Sequence, residues 1–172
     1  MSSSTYSTGT VATTSVTLDA VNEILAVIGE PPVTALDSNG TSDEAEAEDY
    51  LNAWQNRVLA RGWFSNRLIN KEYTRDGSDE YVMADVLSFQ HASVSSAAGT
   101  FGVGSGSNLK LTLRGGKLYD MENDRSTFPN NSTIRLDTIM DIAFTSLPAK
   151  LRALIVKTAA YHFERYKKRG VV

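Results

Sequence analysis

The stretch NLKLTLRGGKLYD, residues 108–120, decides the fold class. Leu109, Leu111 and Leu113 alternate with polar neighbours, and a period of two puts all three on one face of an extended chain. Gly115-Gly116 then supplies the two residues of a tight hairpin turn, returning the chain into KLYD. Reading outward, EYVMADVLSFQ (80–90) and TIRLDTIMDIAF (133–144) are further strand candidates, the second introduced by the turn formers Pro129, Asn130 and Asn131. Between them SSAAGTFGVGSGSN (95–108), with Gly99, Gly102, Gly104 and Gly106, reads as a long flexible tip. Residues 71–144 are therefore expected to form a β-rich insert.

On both sides of the insert the period becomes helical. Thr17 is the expected cap of a first helix whose Leu18, Val21, Ile24, Leu25 and Ile28 recur on one face. Gly29 stops it, and Glu30, Pro31 and Pro32 make the exit stiff. A second helix is expected from Ser42 to Arg61, with Thr41 and Glu44 as a capping box and Ala47, Leu51, Trp54 and Val58 as its apolar stripe. Gly62 ends that helix, and Trp63 and Phe64 are expected to fold back as core anchors. The last helix opens at Leu147-Pro148, presents Leu151, Leu154, Ile155, Thr158, Ala159, His162, Phe163 and Tyr166 inward, and ends at Gly170.

The expected class is α+β: an α-helical bundle built from the N- and C-terminal segments, with an inserted β-rich domain. Its divisions are a Ser/Thr-rich flexible arm (1–15), a first helical part (16–70), the insert (71–144) and a closing helix (145–172).

Bulk properties remove several functions. A net charge of -3 argues against a free-standing nucleic-acid binder, because that affinity comes from Lys and Arg neutralising phosphates. With no cysteine there is no disulfide framework, thiolate metal site or cysteine nucleophile. No run is long and apolar enough for a membrane span, and MSSSTYSTGTVATTS lacks the basic start and apolar stretch of a signal peptide. A soluble protein without an export address is expected.

Few residue clusters suggest chemistry. The Gly-rich loop lacks the Gly-Lys-Ser/Thr ending of a phosphate loop. His91 and His162 have neither metal-ligand spacing nor an adjacent nucleophile, so no catalytic, cofactor or metal residue is assigned. Asp76, Asp79, Glu80, Asp85, Asp120, Glu122 and Asp124 could supply the two carboxylates of a glycan hydrolase, which is the rival reading from another class. A generic helical binding module is a third. Charge has a clearer pattern. Asp37, Asp43, Glu44, Glu46, Glu48 and Asp49 crowd the start of the second helix, while Arg165, Lys167, Lys168 and Arg169 crowd the end of the last. Helix dipoles account for both, and a basic end meeting a neighbour's acidic start would also complement a head-to-tail ring.

AVNEILAVIGEPPV, the acidic helix after it, RGWFSN, RGGKLYD and LPAKLRALIVKTAAYHFERY together resemble the tail tubular protein A family of short-tailed bacteriophages. The resemblance runs in the family's order over residues 16–169, with IGEPPV and RGW its most specific blocks. Members usually continue past the last helix with another acidic helical segment, whereas this chain stops at Gly170-Val171-Val172. The resemblance implies a structural, non-enzymatic virion protein of the tail or neck, assembled in the host cytoplasm. It implies a dodecameric adaptor ring that joins the portal protein to the tail nozzle, tail tubular protein B, and continues the DNA channel without specific binding. No cofactor is implied. Expected portal or inter-subunit contacts are Glu30, Pro31, Pro32, Glu44 and Glu48 with Arg165, Lys167, Lys168 and Arg169; expected nozzle or neighbour contacts are Phe101, Gly102, Gly104 and Gly106.

Overall fold

The computed structural model describes residues 13–36, 42–96, 99–102, 110–128 and 133–169. It divides into two units, Met1–Gln55 with Ala143–Val172 and Asn56–Ile142. The mixture of helices and antiparallel strands makes the chain α+β, as the two sequence periods indicate.

The first unit holds α1 (Thr13–Ala26), most of α2 (Asp43–Leu59), a short 3-10 turn (Phe144–Ser146) and α3 (Ala149–Arg169). Its core comes from one stripe per helix. Val21, Ile24 and Leu25 of α1, Ala47 and Leu51 of α2, and Leu151, Ile155, Ala159 and Phe163 of α3 are all buried, and α1 packs against α3. Each large aliphatic side chain removed from water contributes roughly 1.5–3 kcal/mol, more than the intrinsic preference of any single helical residue. Pro148 opens α3 as expected, its carbonyl accepting from the Leu151 and Arg152 amides at 2.9 and 3.0 Å.

The second unit is built on a four-stranded antiparallel sheet. β1 (Arg67–Tyr73), β2 (Val86–Ser96), β3 (Gly99–Gly102) and β6 (Thr133–Met140) lie in the order β1-β6-β2-β3, while β4 (Leu111–Arg114) and β5 (Lys117–Asp120) form a separate hairpin. In that hairpin Arg114 pairs with Lys117, so Gly115 and Gly116 are the two turn residues, at φ 59° and 71°. Two consecutive positive φ values define the I′ turn for which glycine is the cheapest occupant. Tyr81, Met83, Leu118, Phe128, Ile134 and Leu136 form the core of this unit, with Phe89, Leu111 and Leu113 packed against it.

Several expectations need correction. Helix α1 begins at Thr13 rather than after Thr17, so residues 13–15 belong to the helix and not to an arm. The second helix ends at Leu59, and its cap is Ser42, whose Oγ accepts from the Ala45 amide at 3.4 Å; Thr41 lies outside the described residues. Only Val86 onward of the 80–90 stretch is strand, because Glu80 and Val82 make isolated bridges instead. β1 begins at Arg67, in a segment read as helical from its neighbours. Leu154 and Tyr166 are exposed, since a helix face packed on two partners is narrower than the full apolar set of α3. Phe64 is 90% exposed and anchors no core. Phe101 and Gly102 are strand residues of β3, opposite Val94 and Ser93, rather than a loop tip; Gly104, Gly106, Leu109 and Gly170 lie outside the described residues.

Candidate functional site

The stiff exit from α1 is a built structure. Gly29 adopts φ 83°, its amide reaches the Ala26 carbonyl at 3.2 Å, and the Glu30 amide reaches the Leu25 carbonyl at 3.3 Å. Those two bonds, one spanning three residues and one five around a left-handed glycine, are the Schellman termination of a helix. The chain then passes Pro31 and Pro32, and Val33 is tied back to the helix it has left. Asn22 Nδ2 donates to the Val33 carbonyl at 3.0 Å, and the Val33 amide donates to Asn22 Oδ1 at 2.8 Å. Glu30, Pro31 and Pro32 are thereby held exposed on a loop closed at both ends.

In the same unit the basic end of α3 meets the acidic start of α2 inside one chain. Lys167 Nζ donates to Asp43 at 2.7 Å and also to Glu46. The hydrogen bonds it donates to Asp43 and then to Glu46 hold the ammonium well above the usual lysine range, against a smaller opposing effect of burial. Lys168 pairs with Glu164 one turn back at 2.5 Å, and Arg165 donates to the Tyr161 hydroxyl at 3.1 Å. Aromatic rings support the same helix pair: Tyr50 contacts Phe163 edge-on at 5.2 Å, and Trp54 stacks on His162 at 4.0 Å. The charge complement that the sequence offered to a neighbour is thus satisfied at Lys167 within the chain. Glu44 and Glu48 are half-buried on α2, and Arg169 is exposed at the end of α3.

Five of the candidate acids of the β unit, Asp76, Asp79, Glu80, Asp120 and Asp124, hold structural contacts. Asp76 accepts from the Ser78 and Glu80 amides at 2.9 and 3.0 Å. Glu80 binds Lys117 at 2.5 Å and the Ser126 hydroxyl at 2.7 Å. The fully buried Asp120 accepts from the Glu122 amide at 3.0 Å and from Asn123 Nδ2 at 2.7 Å, with Arg125 at 3.8 Å. Burial acts to raise the Asp120 carboxyl, but the hydrogen bonds from Asn123 and Glu122 outweigh it and the net shift is downward. Asp76 is lowered by its two backbone bonds, and Glu80 by Lys117 and then Ser126. A glycosidase acid must hold its proton near neutrality, which needs the opposite shift. Asp79 pairs with Arg75, and Asp124 accepts from the Tyr119 hydroxyl at 2.5 Å. No group of three His, Asp or Glu among the described residues is arranged to hold a metal ion.

Sequence reasoning missed Asn22, and it named Asp120 only as one of several candidate acids. Asn22 carried a signal, a polar residue set between Val21 and Ile24 on the apolar side of α1. Nothing in the sequence marked Asp120 as the buried one among them, since its partners Glu122 and Asn123 follow it in an irregular turn.

The tail tubular protein family model matches residues 18–171, and the chain belongs to that family of phage proteins. It is a structural protein of the phage tail. A comparison with curated proteins returns no match.

Proposed function

We propose that this chain is one subunit of the ring that adapts the phage head to its tail, docking on the portal and receiving the tail nozzle below. The observation that carries this reading is the family match over residues 18–171, which takes in the helical unit and the β unit together. The helical unit, with Glu30, Pro31 and Pro32 held out on a clamped loop, supplies the portal-facing contacts along with the exposed Arg165 and Arg169. A loop already ordered loses less entropy on docking than a free one. The β unit serves the neighbouring subunit and the nozzle, with β3 at one edge of its sheet. A net charge of -3 suits a channel lining along which DNA slides without sticking.

Co-sedimentation with portal rings of the same phage tests the proposal. The chain should travel with the rings and should be displaced when Pro31 and Pro32 are both replaced by Ala. A chain that stays at the top of the gradient in the presence of portal would overturn the reading.

A further inference from the structure

Helix α3 is strongly basic in a chain that is not. Glu164 is the only acid in its sequence, AKLRALIVKTAAYHFERYKKR, although the whole chain has a net charge of -3. Internal partners occupy some of its cations. Arg152 donates to the Thr145 and Leu147 carbonyls at 3.1 and 2.9 Å, Lys167 is held by Asp43 and Glu46, and Lys168 by Glu164. Lys150 and Lys157 pair with no acid among the described residues, and both are exposed. Arg165 meets a ring rather than a carboxylate: it donates to the Tyr161 hydroxyl at 3.1 Å, and its guanidinium lies 5.5 Å from the centre of that ring.

These free cations share one face. Lys150, Leu154, Lys157, Tyr161 and Arg165 follow one another at spacings of three or four, on the side of α3 away from the buried Leu151, Ile155, Ala159 and Phe163. All five are exposed, so the face is a straight outward row roughly 22 Å long. The helix dipole explains cations in the last turn, but it disfavours one in the first turn, where Lys150 stands, and is spent by the middle, where Lys157 stands. Some other partner has to account for them.

We propose that the outer face of α3 lies along the phosphate backbone of duplex DNA, with Lys150, Lys157 and Arg165 as its phosphate contacts. Charge complementarity carries the choice of occupant. Duplex DNA offers one negative charge per about 1.7 Å of its axis, so a straight row of cations finds a phosphate at each position without a matched pattern of acids. Protein interfaces are depleted in lysine, which leads this row. Helix α3 has no Asn or Gln to read base edges, so the contact is to the backbone and independent of sequence. Three such contacts on an acidic chain make a weak, salt-sensitive hold, which slows DNA without gripping it. The inference stands on the charge of α3 and holds or fails apart from the portal reading.

The test is fluorescence anisotropy of a short labelled DNA duplex titrated with the full chain over a series of salt concentrations. Arg165 also belongs to the portal-facing set, so the variant is Lys150→Gln with Lys157→Gln, which the portal reading does not use. Log affinity of the wild type should fall with log salt at a slope of about -2.7 or steeper, and the variant should be shallower by about 1.8, with thermal unfolding unchanged. Lys71→Gln with Lys110→Gln removes the same charge from exposed positions of the β unit and should leave the slope as it is. The contact is overturned if the wild type fails to bind the duplex at low salt, if the α3 pair leaves the slope unaltered, or if the β-unit pair lowers it equally. Loss of portal co-sedimentation in the α3 pair with duplex binding intact would give the row to an acidic protein surface instead. A shallower slope in a chain that never travels with portal rings would keep the DNA contact and overturn the portal reading alone.

Discussion

Asn22 and Val33 are bound to each other through both of their polar partners: the asparagine side chain donates to the valine carbonyl and accepts from the valine amide, at 3.0 and 2.8 Å. The side-chain amide does here what a neighbouring strand would do. It turns a proline-rich exit into a loop closed against its own helix. Asn22→Ala leaves two backbone groups without partners and should lower stability by about 1–3 kcal/mol in chemical denaturation. Pro31→Ala with Pro32→Ala, both exposed, should cost about 1 kcal/mol or less per site, acting through the freedom of the unfolded chain.

The Lys167 bridge predicts a modest, salt-sensitive contribution. All three partners are partly exposed, so Lys167→Met should cost about 1 kcal/mol, and less at high salt. A double-mutant cycle with Asp43→Asn checks that the loss belongs to the pair. The folded-state pKa of Lys167 is raised, so its contribution is complete below the unfolded value of 10.5 and disappears as pH rises through the folded value. A thermal-unfolding series should be flat in this respect from pH 6 to 9 and fall only in strong base, and the fall should be smaller in Lys167→Met.

Asp120 predicts the opposite limb. Its folded pKa is lowered from 3.8, so its stabilisation is complete above the unfolded value and is lost as pH falls through the folded one. Asp120→Ala should cost about 2–3 kcal/mol at pH 7, the charge-assisted bonds from Asn123 and Glu122 being removed together. The difference between wild type and variant should shrink below about pH 4, measured by equilibrium denaturation.

Two left-handed glycines should respond unequally to the same substitution. A Cβ at Gly29 would meet open space, whereas at Gly62 it would come within 2.8 Å of Ile139 Cδ1. Both positions have positive φ, so Gly29→Ala should cost about 1–2 kcal/mol from backbone strain alone. Gly62→Ala adds a steric conflict with a buried side chain and should cost about 1 kcal/mol or more beyond that. Comparing the two denaturation midpoints isolates the packing part.

The elements that sequence made legible are those in which one local rule acts alone. The period of two and the paired glycines were enough for the β4–β5 hairpin, and the α1 stop followed from glycine and proline. Legibility failed where tertiary structure overrode local pattern. β1 reads as a run of charged and apolar residues without alternation, because it is an exposed edge strand with a bulge between Leu68 and Lys71 and Asn70 at φ 56°. Phe64 invited a core assignment from its type alone, and only the locked turn between Trp63 and Asn66 explains why it faces outward. The Lys167 bridge joins residues more than a hundred positions apart. Charge runs in a sequence cannot say whether they meet within a chain or between chains.

The proposed function requires that this chain assemble as a ring on the portal. Light scattering of the purified protein, alone and mixed with portal rings of the same phage, measures that directly. A ring-sized mass is expected, or a gain in portal mass equal to a whole number of subunits filling the ring. A monomer mass in both samples, with portal mass unchanged, would contradict it.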